Sequence, residues 1–308
     1  MTTQTVVSVE RLRASQADLV HDLFVRTADE NYITARWCAI HQLNTDFFWL
    51  AVHALEKYLK AVLLLNGCSA ISYSHNIVRL YTQAKRIAGK LLPDQLPQPQ
   101  NLVIDRWINL SPEEFLAHLF RQGNAHNRYL IYGYVVHSQD LAMLDVMIFA
   151  VRRLICPLDE RVFPSRLRTA PTMTNRELLT SFPDHYDRLS MPLDEAIEDR
   201  ESPVRTVLLN LNPTAFAPPD FPHTPVRSSF SFRNPVIARR ILDPLQSEDA
   251  RYAAEALELA QWFLNNVQIP KGGRPGKPNA RGLADQIKCA MDAAKKRANA
   301  ATSAERNV

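Results

Sequence analysis

Glycine is scarce in this chain, with 8 in 308 residues, and none occurs between Gly133 and Gly272. Phosphate-cradling loops need glycine where backbone amides crowd a ligand, so that stretch holds neither a Walker A loop nor a dinucleotide fingerprint. No G-x-S-x-G elbow occurs anywhere, which removes the usual serine-hydrolase signature. The four cysteines (Cys38, Cys68, Cys156, Cys289) form no C-x-x-C pair and have no histidine pair at metal spacing beside them. Reduced thiols in a cytoplasmic protein, without a structural metal, are therefore expected. The N-terminus lacks a basic start followed by a long apolar run, and the apolar segments around Val62 and Met147 are too short or too charged for a bilayer. These absences predict a protein without membrane partners.

A net charge of +4 is too small to imply nucleic acid by itself, but residues 269–298 hold eight Lys/Arg against two Asp/Glu. Within them, Lys271, Gly273, Arg274, Pro275 and Lys277 match part of an AT-hook core, the arm that lays arginine in the DNA minor groove. Glycine stands where the preceding arginine should be, so a solvated linker is the better reading and DNA is not an expected partner.

The first half reads as helices. Thr27 and Glu30 predict a capping box opening a helix over 28–42. From Asp46 to Gly67, apolar residues at Phe48, Ala51, Val52, Leu55, Leu59, Val62 and Leu63 form a helical stripe. Glu56, Lys57 and Lys60 fall on the other side, with Glu56 and Lys60 placed for an exposed ion pair. Ser74 or Asn76 caps a third helix, Ser111-Pro112-Glu113-Glu114 opens a fourth ending near Gly123, and Ser138 opens a fifth that Pro157 stops. Beyond Pro157 prolines multiply. Short helices are predicted at 175–181 and 235–241 and a firmer one at 249–265, with short strands at 204–211 and 228–232. A last, alanine-rich helix carries Lys295, Lys296 and Arg297 in its final turn. The expected organisation is all-α: a bundle at 25–157, a proline-rich region of unassigned fold at 158–248, and C-terminal helices with a basic linker at 249–308.

The run His53-Ala54-Leu55-Glu56-Lys57-Tyr58-Leu59-Lys60-Ala61, followed after a loop by Ser74, His75 and Ile77, resembles the HEPN family of small helical domains. Tyr32 to Arg36, Asn127 to Tyr129, and Arg152 with Arg153 fit the same pattern. The resemblance covers about residues 25–157 and implies an up-and-down helical bundle; the rest of the chain is expected to be a C-terminal extension of mixed or low order. Many HEPN domains are dimeric, metal-independent ribonucleases that use an Arg, a spacer of four to six residues and a His. On that resemblance Arg121 and His126 are the catalytic pair, Gln122, Asn124 and Arg128 bind substrate, and Glu56 and Lys57 are structural; the alternative for Arg128 is a structural ion pair with Glu56 across the bundle. No cofactor or metal is implied. The chemistry is self-consistent: histidine moves the proton of a ribose 2′-hydroxyl while arginine holds the phosphate. The spacing alone is weak, since an Arg followed by a His at one offset arises about 0.8 times by chance in such a chain, and Arg36 with His41 repeats it. Two readings stay open. One is RNA cleavage or binding in a toxin–antitoxin or defence setting; the other is a catalytically inactive, dimeric HEPN interaction or small-ligand module. A nucleotidyltransferase or antitoxin partner would be a separate polypeptide.

Overall fold

The helix that carries the apolar stripe, Asn44–Leu65, buries twelve of its residues. The computed structural model describes residues 3–100, 102, 104, 106–127, 129–162, 173–224, 230–267 and 282–305, without the side chains of 3–11 and 301–305. Helix accounts for 62% of the structure and strand for 4%, an all-α class. The chain forms two compact units, one made of residues 1–123 and 136–230, the other of 124–135 and 231–308.

In the first unit, α1 (Thr3–Val20) runs through a π-helical turn, His21–Val25, directly into α2 (Arg26–Ile40). Thr27 therefore has no helix start to cap, and its hydroxyl donates back to the Leu23 carbonyl at 3.0 Å. The predicted capping box at Thr27 does not form. Next come α3 (Asn44–Leu65), α4 (Ile77–Ala88) and α5 (Pro112–Gly123). Two predicted caps form: the Asn76 side chain accepts from Arg79 N at 3.0 Å, and Ser111 Oγ accepts from Glu114 N at 3.3 Å. Helix α3 ends in a Schellman turn, with Cys68 N on the Leu63 carbonyl, Gly67 N on Leu64, and Gly67 at φ +73°.

Strand β1 (Tyr134–Val136) precedes α6 (Asp140–Arg152), which begins two residues after Ser138 because Gln139 holds the N-cap position. Helix α3 packs against α2, α4, α5 and α6. Phe47, Ala54, Glu56, Tyr58 and Ala61 are buried as well as the predicted stripe, so α3 is the central helix, and the face of Trp49, His53, Lys57, Lys60 and Leu64 is partly open.

The texture change at Pro157 does not mark the edge of this unit. Strands β2 (Arg161–Val162) and β3 (Met173–Thr174) pair antiparallel, with Arg161 opposite Thr174. Helices α7 (Asn175–Ser181), α8 (Pro192–Glu198) and α9 (Pro203–Leu209) follow, and α8 and α9 pack on α2. The strand expected at 204–211 is thus the helix α9. Pro203 at its first position presets the helical φ, and Arg36 engages its C-terminal end. Arg36 Nε donates to the Val207 carbonyl at 3.0 Å and Nη2 to that of Asn210 at 2.5 Å.

In the second unit, β4 (Ser231–Arg233) pairs with β1. A π-helical turn, Ala238–Leu242, leads to α10 (Asp243–Leu245), α11 (Ala250–Asn266) and α12 (Leu283–Glu305). Ile131, Ile237, Ile241, Leu245, Ala260 and Ile287 form its core. Asp249 caps α11 by accepting from Arg251 N at 2.9 Å. Helix α12 continues past Lys295–Arg297, so these lie within the helix rather than in its last turn. The AT-hook-like residues fall outside the described ones.

Candidate functional site

Three groups of side chains bear on function. The first is the segment singled out by the resemblance. Arg121 and Gln122 stand in the last turn of α5, Asn124 and His126 in the turn beyond it. Helix α5 stops at Gly123, so Arg121 and His126 share no helix, and the boundary between the two units also falls after Gly123. Both side chains are exposed. Asn124 Oδ1 accepts from His126 N at 2.9 Å, and so closes the turn. Asn127 is buried and braces its own loop, donating to the Gly133 carbonyl at 2.7 Å and accepting from Tyr132 N at 3.0 Å. Arg128 lies outside the described residues, and with it the expected pairing to Glu56.

The second group surrounds Glu56. This carboxylate, expected on an exposed face, is only 5% exposed. Lys60 Nζ lies 2.7 Å from Oε1, His75 Nδ1 lies 2.9 Å from the same oxygen, and His53 Nδ1 lies 3.7 Å from Oε2. Lys57, one residue on, turns to α2 and donates to Asn31 Oδ1 at 2.5 Å. Burial opposes ionisation of Glu56, but His53, Lys60 and His75 outweigh it and hold the carboxyl at about 2. A folded-state value below the ordinary 4.5 means that this group stabilises the fold fully above about pH 4.5, and that its contribution disappears as pH falls through about 2. Glu56→Gln should be less stable than the parent near neutral pH. Acid titrations followed by urea melts should show that difference closing between about pH 5 and pH 2; a difference independent of pH would contradict the assignment.

The third group was not legible as spacing. His118 on α5, His137 in the loop before α6 and Asp140 in the first turn of α6 bring two imidazoles and a carboxylate together, with one potential ligand atom of each within 4.8 Å of the others. Asp140 Oδ2 accepts from His118 Nε2 at 3.1 Å and from His137 N at 2.9 Å. His137 Nδ1 faces Asp140 Oδ1 at 3.5 Å, too far for a hydrogen bond. The His118 and His137 rings stack at 4.8 Å, and Phe48 packs edge-on to His118 at 5.7 Å. Burial disfavours the Asp140 anion, yet His118 and His137 keep its carboxyl below the usual range; the Asp140 carboxylate in turn raises His137. The available sequence signals were His118 set among Phe115, Leu116 and Leu119, and the three-residue step from His137 to Asp140.

The motif residues Tyr32, Arg36 and Arg152 belong to the interior. Tyr32 Oη donates to Asp145 Oδ1 at 2.7 Å, and Arg36 pairs with Oδ2 of the same carboxylate. Arg152 bridges Asp29 at 3.2 Å and Asp194 at 2.8 Å. These groups are buried and engage one another, although Arg152 Nη1 and Asp194 Oδ1 are left without a hydrogen-bond partner; they serve the fold. Cys38, Cys68 and Cys156 are free thiols, and no helix among the described residues is long and apolar enough to cross a membrane. Comparison with known proteins returns no family model, no curated protein and no solved structure that matches the chain.

Proposed function

We propose that the chain is a HEPN-type helical module that works by associating with a second copy of itself, rather than by cutting RNA at Arg121 and His126. The observation that supports this reading is an apolar face left in solvent on the first unit. Leu12, Leu19 and Leu23 follow one another at intervals of seven and four residues along the continuous α1–α2 run, and they are 60%, 58% and 57% exposed. Trp37, fourteen residues after Leu23, is 43% exposed. Isolated exposed leucines are ordinary, whereas a stripe of them along a helix is the pattern of an association surface. The polar residues that carry the resemblance fit the same reading, because Tyr32, Arg36, Glu56, Lys57 and Arg152 are occupied by internal partners. Leu19→Glu together with Leu23→Glu should convert a dimer to a monomer in light scattering with the helical circular-dichroism signal unchanged. An unaltered mass would remove this face from the account.

A second reading keeps RNA cleavage, favoured by the exposure of both Arg121 and His126. It requires metal-independent cleavage of RNA by the purified protein in EDTA that disappears in His126→Ala. Intact RNA at high protein concentration leaves the association module as the reading of choice.

A further inference from the structure

We propose that His118, His137 and Asp140 form a binding site for a divalent transition-metal ion of the zinc type. All three belong to the first unit, and the site is independent of the apolar face and of Arg121 and His126. The donor set is two imidazoles and one carboxylate, which suits zinc and its first-row neighbours better than magnesium or calcium. Zinc bonds of about 2.0–2.2 Å place tetrahedral donors about 3.4 Å apart. Two donor pairs already stand near that separation: His118 Nε2 to Asp140 Oδ2 at 3.1 Å and His137 Nδ1 to Asp140 Oδ1 at 3.5 Å. The two pairs use different oxygens of one carboxylate, so a single ion would take Asp140 through both oxygens, with one imidazole on each side.

A second observation points to a ligand. His137 Nδ1 and Asp140 Oδ1 are both buried without a hydrogen-bond partner, and the Asp140 side chain is 1% exposed. Buried polar atoms are nearly always satisfied, and one left unpaired costs about 1–3 kcal/mol. A cation between them satisfies both atoms at once. The carboxylate is held for this role, because the His137 backbone N–H fixes Oδ2 at 2.9 Å and the N-terminus of α6 favours an anion there. Phe48 beside His118 and Phe230 beside His137, at 6.3 Å, wall the donors with apolar surface. Three protein donors leave the fourth tetrahedral position to water or another small ligand.

The test uses the full chain, stripped of metal with EDTA and dialysed. Titration calorimetry with zinc chloride should show one saturable equivalent, and cobalt(II) should give the intense visible absorption of a four-coordinate site. His137→Ala, a change at a partly exposed residue, should weaken zinc binding by at least about 100-fold and abolish the cobalt spectrum while the helical signal is retained. Asp140→Asn should do the same where it folds. Absence of one-to-one zinc binding tighter than about 10 μM in the unsubstituted chain, or affinity unchanged in His137→Ala, overturns the assignment.

Discussion

Replacing Gly123 with alanine is expected to lower the unfolding free energy by about 3 kcal/mol, an overpacking penalty at the upper end of its usual range. Gly123 closes α5, and its Cα lies against the backbone of α3. A Cβ there would stand 2.1 Å from the Phe48 carbonyl oxygen, 2.5 Å from its carbon and 2.9 Å from Val52 Cγ2. A side chain could swing away from such a clash, but the carbonyl of a buried central helix cannot. The result is diagnostic because helix propensity predicts the opposite sign. Glycine in a helix costs about 1 kcal/mol relative to alanine, so a loosely packed α5 would gain stability from the change. Urea unfolding of the two proteins separates the cases, and equal or greater stability of Gly123→Ala would show that α3 and α5 do not meet backbone to backbone.

Arg36→Met should cost about 4 kcal/mol, the loss expected when one member of a buried ion pair is removed. Arg36 and Asp145 are both fully buried, and three acceptors lose their donor together: the Asp145 carboxylate and the carbonyls of Val207 and Asn210. An uncompensated carboxylate is the dominant penalty. Adding Asp145→Leu to Arg36→Met removes that charge, and the double variant should regain at least half of the loss. The cycle must also show strong coupling between the positions, since they touch. Arg36→Met within about 1 kcal/mol of the parent would mean that Arg36 does not tie α9 to α2.

Those two substitutions also mark what the sequence discloses. The apolar period of α3, the Asn76 and Ser111 caps, the Gly67 turn and helix α7 are local features, and residues within a few positions specify each of them. Val204–Leu211 and Glu56 depart from their expected structure because distant partners decide them, whereas for Thr27 the cause is the helix preceding it. Thr27 sits inside a helix that began before the predicted start. The C-terminal end of α9 is held by Arg36, some 170 residues earlier. Glu56 is covered by His75 from beyond the following loop. The His118–His137–Asp140 cluster is the same case in the domain of function. Its donors come from α5 and from the entry to α6, and no fixed spacing connects them. The Arg121–His126 spacing, by contrast, was visible at once, yet it runs across the end of α5.

The most direct measurement of the association account is the mass of the unsubstituted protein in solution. Sedimentation equilibrium at increasing concentration should converge on twice the chain mass of 35.0 kDa, following mass action for a single self-pairing step. A mass that stays at 35.0 kDa up to about 100 μM would contradict it, and would leave the Leu12–Leu19–Leu23 face without the role assigned to it.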